Sequence, residues 1–204
     1  VSLGRLLDAV PEADAAQLGR IEAAVHHAAS QGACSEGGPA QVLPPRLVAA
    51  VAEADAELAE VDVLRTADRY DEAATILANL AESAQQLRYE PLQARVASMR
   101  ADVAIVRGEL AVAEESLVTA YQLAVGLSDH RLAMTSSARL TQLVGVELSR
   151  PVEALEWARH SEAAAQRLGV ADPQAHLARV LAEVHFNAGQ HAQAAALFEK
   201  AALN

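Results

Sequence analysis

Lysine is nearly missing from this chain of 204 residues: Lys200 stands alone, and the sixteen basic residues are scattered against 27 acidic ones, for a net charge of −11. A nucleic-acid surface needs clustered Lys and Arg to neutralise phosphates, so that class is excluded. Aromatics amount to 3% of residues, and no alternating run of Val, Ile and Thr is bounded by an Asn-Gly or Asp-Gly turn, so strands are not expected. No apolar run reaches the roughly 18 residues that cross a bilayer. One cysteine, Cys34, excludes an internal disulfide. It sits in a glycine-rich loop with no basic neighbour to activate it, which reads as a free, unreactive thiol. The chain opens on Val1-Ser2-Leu3 without an initiator methionine or a charged leader, as a segment of a longer protein would.

What is abundant is alanine, with leucine and valine, in a sequence that is 52% hydrophobic. Small residues at this density are how closely packed helices are written. The expected class is all-α.

Four segments share one pattern: Arg69-Tyr70-Asp71-Glu72-Ala73, Glu109-Leu110-Ala111-Val112-Ala113, Arg150-Pro151-Val152-Glu153-Ala154 and Gln190-His191-Ala192-Gln193-Ala194. Their final alanines are spaced by 40, 41 and 40 residues. Leu87, Leu127 and Leu168 each follow their alanine by 14 residues and precede a polar or turn-like stretch, so two landmarks keep one register. A period of this size predicts an α-solenoid of about four helix pairs. The first helices are expected over about 46–67, 91–107, 131–147 and 173–187, the second over about 70–87, 110–127, 151–168 and 191–203. Pro91 and Pro173 suit the first turn of a new helix. Ahead of the array, residues 3–29 read as two helices broken at Pro11, a short N-terminal cap. Ser30 to Pro39 reads as a loop, giving a boundary near residue 45 and repeats over 46–87, 91–127, 131–168 and 173–204.

The turn residues resemble those of the tetratricopeptide repeat. Arg107-Gly108-Glu109-Leu110 with Ala113, and Ala188-Gly189-Gln190-His191 with Ala194, fit its turn. Ala67-Asp68-Arg69-Tyr70 with Ala73 fits with Ala67 or Asp68 in the glycine slot. The repeated alanine belongs where two helices cross and a larger side chain would separate them. Tyr70, Leu110, Leu117, Leu197 and Phe198 are expected to pack, and Trp157 to fill the core between repeats. The third repeat departs from the pattern at Glu147-Leu148-Ser149-Arg150-Pro151, with no glycine, a proline at the aromatic position and one extra residue.

A narrower resemblance covers nearly the whole chain. Pro45-Arg46-Leu47-Val48-Ala49-Ala50-Val51, Leu87-Arg88-Tyr89-Glu90-Pro91-Leu92-Gln93-Ala94 and Glu153-Ala154-Leu155-Glu156-Trp157-Ala158 are similar to the tetratricopeptide region of large serine/threonine protein kinases of myxobacteria and related bacteria. The resemblance implies a non-catalytic docking or sensory region of a signalling kinase, cytoplasmic, or periplasmic if a membrane span precedes Val1. In that family a cysteine at the position of Cys34 has cysteine neighbours upstream, which implies an external disulfide as the alternative to a free thiol. The kinase elements themselves (a glycine-rich phosphate loop, His-Arg-Asp and Asp-Phe-Gly) do not occur here. The segment is therefore expected to be inactive and to need no cofactor, with ATP and magnesium entering only through a parent kinase.

In tetratricopeptide arrays the first helices line the concave face and contact ligand. Carried over by register, those positions are Asp55, Leu58, Asp62 and Arg65, then Arg95, Ser98, Asp102 and Ile105, then Thr135, Ala138 and Gln142, and finally His176, Arg179, Glu183 and Phe186. Each set is spaced by three or four and so shares one helix face. The mixture of acids, arginines and apolar residues suits an extended peptide or a partner helix, with Arg95 and Arg179 suited to a carboxylate. The competing reading of the same stripe is a solvated face.

Seven histidines raise metal binding, but adjacent His26 and His27 point apart and no His-Glu-x-x-His set occurs. His185 reads better as a satisfied core residue. Two other readings of the array remain at this stage: the effector-sensing half of a bacterial transcription regulator, and a homo-oligomeric scaffold that pairs through an uncapped end.

Overall fold

A computed structural model describes residues 43–169 and 174–202. The expected N-terminal cap, the loop with Cys34, His26 and His27, and Pro173 all lie outside the described residues. Every described element is a helix: α1 (Pro45–Thr66), α2 (Tyr70–Leu87), α3 (Glu90–Val106), α4 (Leu110–Gly126), α5 (His130–Gln142) running into a π-helical segment (Leu143–Glu147), α6 (Pro151–Leu168), α7 (Gln174–Asn187) and α8 (His191–Ala202). The bounds fall within one or two residues of those predicted from the period. Prolines begin three of the helices, within the first turn of α1, α3 and α6, where no backbone N–H is needed.

The chain divides into two compact units between Arg88 and Tyr89. In the N-terminal unit α1 packs against α2. Val51, Ala54, Leu58, Val61 and Leu64 form the buried stripe of α1, and Ala73, Leu77, Leu80 and Ala84 that of α2. In the C-terminal unit each helix packs on its neighbour in sequence, from α3 on α4 through α7 on α8, and α5 also packs on α7. One cluster joins Ala101 and Ala104 of α3, Ala113 and Leu117 of α4, Leu140, Leu143 and Val144, Ala154 of α6, and Val180 and Val184 of α7.

The repeat is written in the backbone as well as in the sequence. Left-handed residues end the first helices at Asp68 (φ 59°), Gly108 (73°), Ser149 (54°) and Gly189 (74°), and the second helices at Arg88 (50°), Ser128 (57°) and Gly169 (63°). Both series follow the 40- and 41-residue steps of the alanines. Asp68, rather than Ala67, thus fills the glycine slot of its turn. The N–H of Asp68 donates to Arg65 O and that of Arg69 to Leu64 O, and the same pair of bonds closes the turns at Gly108 and Gly189. These bonds satisfy carbonyls that a helix end would leave without partners.

The third turn shows where its extra residue goes. In the other three, the residue after the left-handed position bonds back five residues, as Glu109 N does to Ala104 O (2.9 Å); in the third, Arg150 N reaches back six, to Val144 O (2.8 Å). The chain widens into the π segment, and Ser149 still adopts the left-handed conformation with no glycine present. One inserted residue therefore changes the helix end and leaves the register beyond it intact.

All four repeated alanines are buried, Ala73, Ala113 and Ala154 at 0% exposure and Ala194 at 2%. Tyr70, Leu110 and Leu197 are partly buried and Leu117 fully so. Phe198 departs from its expected packing role: it is 40% exposed, because no described helix lies over that side of α8.

Exposed ion pairs mark the turns. At the start of α2 the Arg69 guanidinium donates two bonds to Glu72, Nε to Oε1 (2.6 Å) and a terminal nitrogen to Oε2 (2.5 Å). These bonds, followed by the charge of Arg69, hold the Glu72 carboxyl below its ordinary value of 4.5. A carboxyl depressed in the folded state stabilises at pH above its unfolded value and loses that contribution as pH falls through the folded one. Carboxyl-carbon NMR titration is expected to show the Glu72 midpoint moving up in Arg69→Ala, with the acid limb of the stability curve moving with it. An unchanged midpoint would contradict the pairing.

Candidate functional site

The face predicted to contact a partner falls on α1 in the N-terminal unit and on α3, α5 and α7 in the C-terminal unit. On α1, Asp55 and Asp62 are exposed and Arg65 is half-buried, and Arg65 bonds Asp62 one turn away at 3.0 Å. Leu58 does not belong to this surface. At 3% exposure it lies in the buried stripe with Val51, Ala54 and Val61, because a 3.6-residue helix carries a 55–58–62–65 ladder across the edge between the polar and packed faces.

In the C-terminal unit Arg95 is exposed, Ser98 and Ile105 are half-buried, and Asp102 is the most enclosed acid of the set, with its side chain 14% exposed. Arg139 of α5 reaches it with two bonds, at 2.5 Å to Oδ1 and 3.3 Å to Oδ2. This fork links the first helices of successive repeats. It is not legible in the sequence, because the partners lie 37 positions apart and share no helix face. Its only signal there is an arginine near the 40-residue register of the acid.

Thr135 is exposed and its hydroxyl donates back to Arg131 O and Leu132 O, while Ala138 and Gln142 are half-buried. On α7, Arg179 pairs with Glu183, and Phe186 is 57% exposed with its ring 5.2 Å from that of His191. The backbone of His176 lies in α7; its side chain is outside the described residues. The structure thus gathers Arg95, Ser98, Asp102, Gln142, Arg179 and Glu183 within the unit that holds the three helices. Chemically, this is a mixed polar surface carrying both signs of charge, with an exposed phenyl ring near one end.

Three further features emerge from the packing. A cleft of about 300 Å³ lies between α1 and α2, lined by Glu53, Glu57, Leu80, Ser83, Gln86 and Leu87 among others. Tyr121 of α4 meets Trp157 edge-to-face at 5.3 Å, and its hydroxyl lies 3.0 Å from Nδ1 of His160 on α6. Trp157 is packed against the main cluster but only partly buried, so it joins repeats at the rim of the core. Third, Arg150 reaches from the start of α6 to Glu114 of α4 (2.5 Å) and to Glu153 (3.0 Å). The bond that Arg150 donates to Glu114 is the main cause holding its guanidinium above its ordinary value.

His185 is half-buried, with Nδ1 2.5 Å from the side-chain oxygen of Gln190. It is satisfied, as expected, at the turn rather than deep in the core. Among the described residues no group of three or more His, Cys, Asp or Glu side chains is placed to hold a metal ion, and no helix is long and apolar enough to cross a membrane.

Compared with known proteins, the chain matches no protein-family model and no curated protein at a significant level of sequence similarity.

Proposed function

We propose that this chain is a non-catalytic protein-interaction module, a right-handed solenoid of about four tetratricopeptide-like helix pairs that docks a peptide or partner protein on the face of its first helices. The observation that carries this reading is the common register of buried alanines and left-handed turns, which makes each repeat one copy of the same helix pair. Within a unit, stacked copies present their first helices on one surface, and surfaces of this kind bind extended segments. In the N-terminal unit the expected contacts are Asp55, Asp62 and Arg65. In the C-terminal unit, taken by itself, they are Arg95, Ser98, Asp102, Gln142, Arg179 and Glu183, with His176 expected by register alone.

An incoming carboxylate competes with Glu183 for Arg179. Exchange of one charge-assisted bond for another costs little, so such sites select partners by geometry more than by raw charge. Replacing both Arg95 and Arg179 with Glu is expected to lower capture of the bound partner from extracts of the producing cell on the order of tenfold, with helicity unchanged. Capture equal to that of the unaltered protein would exclude this face.

The resemblance to kinase-linked repeats supports a parent serine/threonine protein kinase, with this region as its docking or sensory part. Sequencing the transcript upstream of Val1 tests this directly. A kinase domain there supports the reading, and a DNA-binding domain in its place overturns it.

A further inference from the structure

We draw no further inference here: the strongest candidate, the cleft of about 300 Å³ between α1 and α2 with Glu53 and Glu57 on one wall, is an acidic pair with no buried, unpartnered polar side chain aimed into it among the described residues, and nothing in the structure shows what covers it.

Discussion

Gly145→Ala is expected to destabilise the C-terminal unit by about 2–3 kcal/mol, one of the two largest effects expected of a single substitution in this chain. A Cβ at this position meets Cγ2 of Val184 on α7 directly and comes to 2.8 Å from Cβ of Ala154 on α6. Both obstacles are stiff. Val184 is 1% exposed and β-branched, and Ala154 Cβ is fixed to the helix backbone, so neither can rotate away. Relief requires the π segment to retreat from α6 and α7 together. Thermal or denaturant unfolding measures the loss, and a double-mutant cycle locates it: with Val184→Ala in place, adding Gly145→Ala should cost distinctly less than it does alone. Equal costs in the two backgrounds would mean that the close approach does not limit packing there.

Ala113→Leu is expected to cost about 3 kcal/mol or more. Ala113 is 0% exposed where α3 crosses α4, amid Ala101, Ala104 and Leu117, and three extra carbons have no space to enter. The helices must separate, and that loosens contacts beyond the site itself. Ala111→Leu, two residues earlier on the exposed side of the same helix, supplies the control and should change stability by less than about 0.5 kcal/mol. Similar unfolding midpoints for the two variants would contradict the crossing geometry.

Much of this architecture is legible in the amino-acid sequence. Ala73, Ala113, Ala154 and Ala194 reveal the period because a crossing point tolerates only a small side chain, and prolines mark helix starts because φ and the missing N–H suit the first turn. The extra residue of the third repeat is visible as a count, but the place where it is absorbed is not. That depends on Gly145 meeting Val184 some 39 positions away, which no local signal carries. Spacing by three and four outlines the face of the first helices yet wrongly includes Leu58, since it fixes a stripe but not the edge at which the stripe becomes core. Arg139 escapes notice as the partner of Asp102 for a related reason: pairing between helices depends on their rotation about their own axes. Register places Phe198 inside because its counterparts Leu77 and Leu117 are inside, and its exposure follows from which helices lie beside it rather than from its own type.

The pairing of each helix with its immediate neighbours also bears on how quickly the C-terminal unit is made. Its substantial helix contacts join elements adjacent or next but one in the chain, linked for the most part by turns of three residues. Bringing such elements together closes only short loops, so little chain entropy is lost before the first packing contact repays it. A hairpin such as α3 with α4 can therefore act as a seed as soon as both helices exist, each further helix adding to a surface already formed. During synthesis that order coincides with the order of emergence, and the alanine-rich faces spend little time uncovered.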